Sequence, residues 1–218
     1  MEVGYLISLA NGLLMGLKYT LGLFAITIIL SLPLGLILTF LRVSKNLILK
    51  GITGFYVWVM RGSPLLLQLF FVYFGLPMIP YIGQYMILAR FEAACVAFVL
   101  NYAAYFCEIF RGGLLSVDKG QHEAAKTLGF SKIKTTIRII IPQMFRVSLP
   151  PVTNECITLV KDTALVAAIG VTDVLYFAKN AVNRDVNATA YLVAAVFYLI
   201  ITFLLTKLFK KIESKTKY

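Results

Sequence analysis

The stretch Tyr19–Leu41, YTLGLFAITIILSLPLGLILTFL, runs for 23 residues without a charge between Lys18 and Arg42. A helix of that length matches the hydrocarbon core of a bilayer, which takes about 20 apolar residues to cross. Pro33 lies inside the run. Membrane helices accept proline where neighbouring groups satisfy the freed carbonyl. The segment before the run, Met1 to Leu17, carries only the charge of Glu2, and the apolar run is too long for the core of a cleavable signal. The run therefore reads as a retained first crossing.

The rest of the chain repeats this character. Of its 218 residues 60% are hydrophobic and 14% charged, and the mean hydropathy is +0.84. A soluble domain needs a polar shell that this composition does not supply. Further crossings are expected over about 57–79, 85–110, 139–160 and 186–206. The fold class is therefore an all-α membrane protein with five transmembrane helices, and 1–218 forms a single transmembrane domain. Pro77 and Pro80 end the second crossing. The third contains Ala93, Ala94, Ala97, Ala103 and Ala104, small residues that allow close helix contact in lipid. Thr163–Thr172 is apolar but too short to cross, and reads as re-entrant or gate-like. No internal repeat is visible.

Charge sets the orientation. The net charge is +11, yet the cations lie between apolar runs rather than on one soluble face, which argues against nucleic acid. With the amino terminus outside, the inner segments Arg42–Lys50, Arg111–Arg138 and the carboxy-terminal tail hold three, six and five Lys and Arg, fourteen together, while Lys18, Arg90, Lys161, Lys179 and Arg184 are the outer five. Basic residues collect in cytoplasmic loops. The carboxy terminus and the polar loop 111–138 are thus expected inside.

That loop holds Glu123-Ala124-Ala125, then Gly129, Ile139 and Pro142. Two alanines favour a short helix without bulk, and Gly129 permits a sharp exit from it. The pattern resembles the EAA loop of bacterial ATP-binding-cassette importers, with Ile141 where leucine is usual. Further runs resemble the polar amino acid branch of that family, the permeases for histidine, glutamine and arginine. They are Arg61 to Phe70, Tyr73 to Pro77, Asn101 to Tyr105 with Glu108, Arg111-Gly112-Gly113, Gly120-Gln121, Leu149-Pro150-Pro151 with Asn154-Glu155, and Lys161-Asp162-Thr163. Ser63 stands where threonine is usual and Ala164 where serine is.

The resemblance implies a type I importer permease in a bacterial cell membrane, working as a dimer, here expected to be a homodimer. Two cassette ATPase subunits per complex and an extracellular substrate-binding protein are the implied partners, besides the lipid bilayer. Glu123, Ala124, Ala125, Lys126, Leu128, Gly129 and Phe130 would form the coupling helix that meets the ATPase. The chain has no GxxxxGK[ST] run, so ATP and Mg are expected on the partner. No cofactor, metal or chemical catalysis is expected of this chain. Cys95, Cys107 and Cys156 are scattered in apolar runs and read as packing residues.

Ionisable residues at membrane depth are costly and mark a pathway or a partner. Glu155 and Asp162, seven residues apart, share one helical face with Thr158 and Leu159. With Asn154 and Lys161 they form the candidate cargo site, for which a cationic amino acid such as arginine is expected. Pro150 and Pro151 precede them, where a broken helix would expose carbonyls. Glu108 also belongs to the candidate set, although its spacing to Arg111 favours a local ion pair. Asn101 shares a face with Glu108 and is placed to bond between helices, Arg61 is expected to pair near the inner boundary, and His122 reads as a surface residue. An ion-coupled secondary carrier would use the same carboxylates as a proton relay, but has no use for a 28-residue cytoplasmic loop.

Overall fold

The computed structural model describes residues 3–216; Met1, Glu2, Lys217 and Tyr218, and with them the charge of Glu2, lie outside the described residues. Those residues form helices α1 (Val3–Arg42), α2 (Leu47–Gly62), α3 (Leu65–Phe70), α4 (Arg90–Leu115), α5 (Lys119–Thr127), α6 (Lys132–Thr135), α7 (Ile141–Asp162), α8 (Val174–Asp185) and α9 (Thr189–Thr216), with no strand among them. Wider and tighter helical turns extend α3 to Met78, join α6 to α7, and carry α7 on to Ile169.

Three of these helices, α1, α4 and α9, are individually long and apolar enough to cross a membrane. Two bent pairs raise the number to five if each is one span: Leu47–Gly62 with Leu65–Met78, bent by 106°, and Lys132–Ile169 with Val174–Asp185, bent by 52°. The helix bounds differ from the expected spans in an instructive way. Helix α1 begins near residue 3 rather than 19, because Lys18 stays exposed beside the Tyr19 ring while Leu9 and Leu13 pack on α8 and α9. Helix α9 likewise continues through its basic end to Thr216, where Glu213 accepts a hydrogen bond from Thr153 on α7.

The core is built on α1 against α4. A Cβ at Gly35 would lie 2.7 Å from the Phe106 Cβ and 3.0 Å from the Ala103 carbonyl oxygen, so only glycine allows this approach. Thr39 on the next turn donates to the Cys107 carbonyl at 3.1 Å. The five alanines of α4 named above are buried, in keeping with their expected contact role.

The sharpest break sits at Ser63-Pro64. Proline disfavours helical geometry in the residue before it, and Ser63 is extended at φ −114°, ψ 147°. The bend leaves carbonyls of the last α2 turn without helical donors. Gln68 supplies two of them from the other side of the break, donating to Met60 O at 2.9 Å and Ser63 O at 3.1 Å, and Asn101 of α4 donates to the same Met60 O at 2.9 Å. By contrast Pro150 and Pro151 do not break their helix: α7 runs through both. The carbonyls that these prolines leave without a helical donor are those of Arg146 and Val147, four residues back, on exposed residues of α7 outside the cleft described below.

Replacing Asn101 with leucine removes a donor from Met60 O and strands the Gln68 amide oxygen, which accepts from Asn101 at 3.0 Å. A buried unsatisfied group costs about 1–3 kcal/mol. The Asn101→Leu chain should therefore melt several degrees lower in detergent than wild type, and an unchanged melting temperature would show that the break does not depend on this residue.

Candidate functional site

The break between α2 and α3 faces α4 and α7, and the four elements enclose a cleft of about 480 Å³. Its charged and polar lining is Arg61 and Ser63 at the break, Asn101, Tyr102 and Tyr105 from α4, and Glu155, Thr158 and Asp162 from α7. The helical spacing on α7 thus brings Glu155, Thr158 and Asp162 together, as the sequence implies. Leu159 is fully buried in the core instead. Asn154 and Lys161 are exposed and do not line the cleft.

The two acids are held differently. Asp162 accepts a hydrogen bond from the Tyr102 hydroxyl at 2.7 Å. Neither it nor Glu155 forms an ion pair among the described residues. A carboxylate withdrawn from water without a cation is unfavourable, so the cleft is suited to receive positive charge. Arg61 reaches it from the opposite wall, its guanidinium 5.3 Å from the Tyr105 ring centroid. The arrangement is two carboxylates and one guanidinium around a single cavity.

Glu108 lies next door. Its carboxylate takes three hydrogen bonds from Arg111, the shortest 2.7 Å, with Arg42 at 3.8 Å and Arg61 at 3.9 Å. The i,i+3 pair with Arg111 is the one expected from spacing. The structure adds two more arginines and places Glu108 in a separate cleft with Arg42, Trp58 and Arg61. Arg61 lines both clefts. Sequence reasoning did not give it this bridging position; the signal was there in Pro64, three residues on, which sets the bend beside which both clefts lie.

The polar loop folds as a helical hairpin. Asp118 caps α5 by accepting from the Gly120 amide at 2.6 Å. At the other end Gly129 adopts φ +75°, its amide donates to Lys126 O at 3.0 Å, and the Phe130 amide donates to Ala125 O at 2.9 Å. This pair of bonds is a Schellman ending, which needs a left-handed residue. Ala125 is buried, Phe130 is partly buried, and Glu123, Ala124, Lys126, Leu128 and Gly129 are exposed. Ile133 and Ile137 extend the exposed apolar surface along α6 and the turn after it. His122 is exposed as well.

Comparison with known proteins agrees with this architecture. Residues 5–218 match the family model described as binding-protein-dependent transport system inner membrane component. The L-cystine transport system permease protein TcyB of Bacillus subtilis is 40% identical, over 92% of this chain and 84% of its own. The arginine transport system permease protein ArtQ of the same organism is 39% identical, over 94% and 92%. Among solved structures, one of an amino acid ABC transporter with histidines superposes at a TM-score of 0.88 with 29% identity, over 99% of both chains. The MetNI methionine ABC transporter in an inward-facing form gives 0.75 at 20% identity, a likeness of fold.

Around Gly129 there is open space, with nothing within 4 Å of where a Cβ would stand, so a substitution there meets only backbone strain. A left-handed L-residue costs about 1–2 kcal/mol, and asparagine less. Gly129→Ala should speed hydrogen exchange of the Phe130 amide by roughly fivefold or more, and Gly129→Asn should speed it less. Equal exchange in all three chains would remove the conformational requirement.

Proposed function

The chain belongs to the binding-protein-dependent transport inner membrane component family and is the permease subunit of an ABC amino acid importer, and on that premise we propose that its cargo is a cationic amino acid such as arginine. The observation that carries the reading is the cleft in which Glu155 and Asp162, neither in an ion pair among the described residues, share one guanidinium, Arg61, in the lining. An α-ammonium and a basic side chain supply two positive charges for the two acids, and the α-carboxylate meets the Arg61 guanidinium. Thr158 offers a hydroxyl between the acids. Lys161, expected in the cargo site, is exposed and outside the cleft, and Arg61 serves the α-carboxylate in this scheme. The 39% identical arginine permease supports the choice, while the 40% identical cystine permease makes identity alone undecisive.

The work of such a site is differential binding between two conformations, driven by a partner. We take the partner to be a pair of cassette ATPase subunits that bind ATP and Mg, with α5 and its Gly129 exit seated in them. The exposed Glu123, Ala124, Lys126 and Leu128 are the docking surface, and Ala125 and Phe130 hold the hairpin on the permease. An extracellular binding protein delivers cargo, and two copies of the permease surround the path in a bacterial plasma membrane. The amino terminus is outside, by the fourteen-to-five distribution of cations. An ion-coupled carrier is left without support by the family assignment.

In proteoliposomes of the permease with its ATPase, arginine should stimulate ATP hydrolysis and uptake more than glutamine or cystine. A hydrogen bond to a charged group contributes about 1.5–3 kcal/mol, so Glu155→Gln should lower arginine uptake efficiency by roughly tenfold or more. If glutamine or cystine is the better cargo, or the variant is unaffected, the cationic site falls. Separately, expression with one ATPase type should yield a complex whose mass fits two permease and two ATPase chains; a requirement for a second permease type would refute the homodimer.

A further inference from the structure

The second cleft is not explained by cargo. It has a volume of about 410 Å³ and lies between the end of α1, helix α2 and α4, lined by Arg42, Gly54, Trp58, Arg61, Tyr105 and Glu108 among others. Arg42, Arg61 and Arg111 converge on the single carboxylate of Glu108, three positive charges against one negative. The buried Nε of Arg42 has no hydrogen-bond partner. Lys45 and Lys50, both exposed, follow Arg42 in the chain and add to the positive charge on this side. The Arg42 Nε lies 3.8 Å from Glu108 Oε1, beyond hydrogen-bond reach, and the site as a whole carries an excess of positive charge.

Helix α2 indicates which anion. Trp58, 71% exposed, stands at the mouth of the cleft, and Ile48, Ile52 and Phe55 continue from it as an exposed apolar stripe with helical spacing. A small soluble phosphate would satisfy the arginines and leave the stripe bare. A second copy of this chain meeting this face through the same face would set the arginines of the two clefts against each other. A molecule with an anionic head and apolar tails fits both parts, and tryptophan at a membrane interface suits their junction.

We propose that the cleft holds the phosphate headgroup of an anionic diacyl phospholipid, donated to by Arg42 and neighbouring guanidinium groups, with the acyl chains lying over Trp58 onto the α2 stripe. The proposal rests on the membrane placement above but not on the cargo or the ATPase. Basic pockets between transmembrane helices on the inner side are suited to such headgroups. The lipid would bridge α1 to α2 next to Arg61, and so stiffen the wall that the two clefts share.

The test is retention of phosphatidylglycerol against phosphatidylcholine by the purified permease complex, read by native mass spectrometry after detergent exchange. Wild type should keep phosphatidylglycerol selectively. Arg42→Gln should keep about fivefold less, as expected for one arginine near an anionic surface, and Arg42→Lys should keep most of it. Trp58→Ala, which touches no ion pair, should also lower retention, so the question stays answerable if Arg42→Gln does not fold. Equal retention of the two lipids, or retention unchanged in all three variants, would overturn the proposal. So would thermal protection by inorganic phosphate equal to that by phosphatidylglycerol, or disulfide formation between Trp58→Cys protomers, which would put a second permease chain over the cleft. Each readout is independent of uptake, so failure of the cargo assignment leaves this result distinct.

Discussion

Inside a bilayer there is no water to take up a backbone carbonyl that its helix has released, and this constraint shapes the chain around Ser63-Pro64. The bend of 106° there is possible because Gln68 and Asn101 reach across it to Met60 O and Ser63 O. Each donor comes from a different element, one beyond the break and one on α4. The break is thus tied to the most buried helix of the molecule, and its position relative to Glu155 and Asp162 on α7 follows from that tie.

Electrostatics then divides the interior into two compartments with opposite needs. Glu155 and Asp162 form no ion pair among the described residues and outnumber the one guanidinium in their cleft, whereas the arginines around Glu108 outnumber their one carboxylate. Buried or half-buried charges of one sign are expensive and persist where something else completes them. Arg61 belongs to both compartments, so a change of charge in one is felt by the side chain that borders the other.

The hairpin of the polar loop rests on a different kind of constraint, one of backbone geometry. Its exit is a Schellman turn closed by two hydrogen bonds around a left-handed Gly129. Ala125 must be small because it is buried under that turn, while Glu123, Ala124, Lys126 and Leu128 face outward. The result is a short helical knob closed by that turn.

The sequence by itself determined the environment, the helical class and the position of the knob, since uncharged runs, cation placement and the Glu123 to Pro142 spacing are local quantities. It also determined that Glu155 and Asp162 share a face, because seven residues make two helical turns whatever lies around them. Only the tertiary structure decided which prolines break helices: Pro64 does, where Gln68 and Asn101 receive the loose carbonyls, and Pro150 and Pro151 do not. It also decided that Arg61 rather than Lys161 stands opposite the acids, and that Glu108 gathers three arginines from three helices. The contacts of Asn101 with Met60, and of Arg42 and Arg61 with Glu108, join residues forty or more positions apart, and no period or spacing along one helix encodes which distant donor will be within reach.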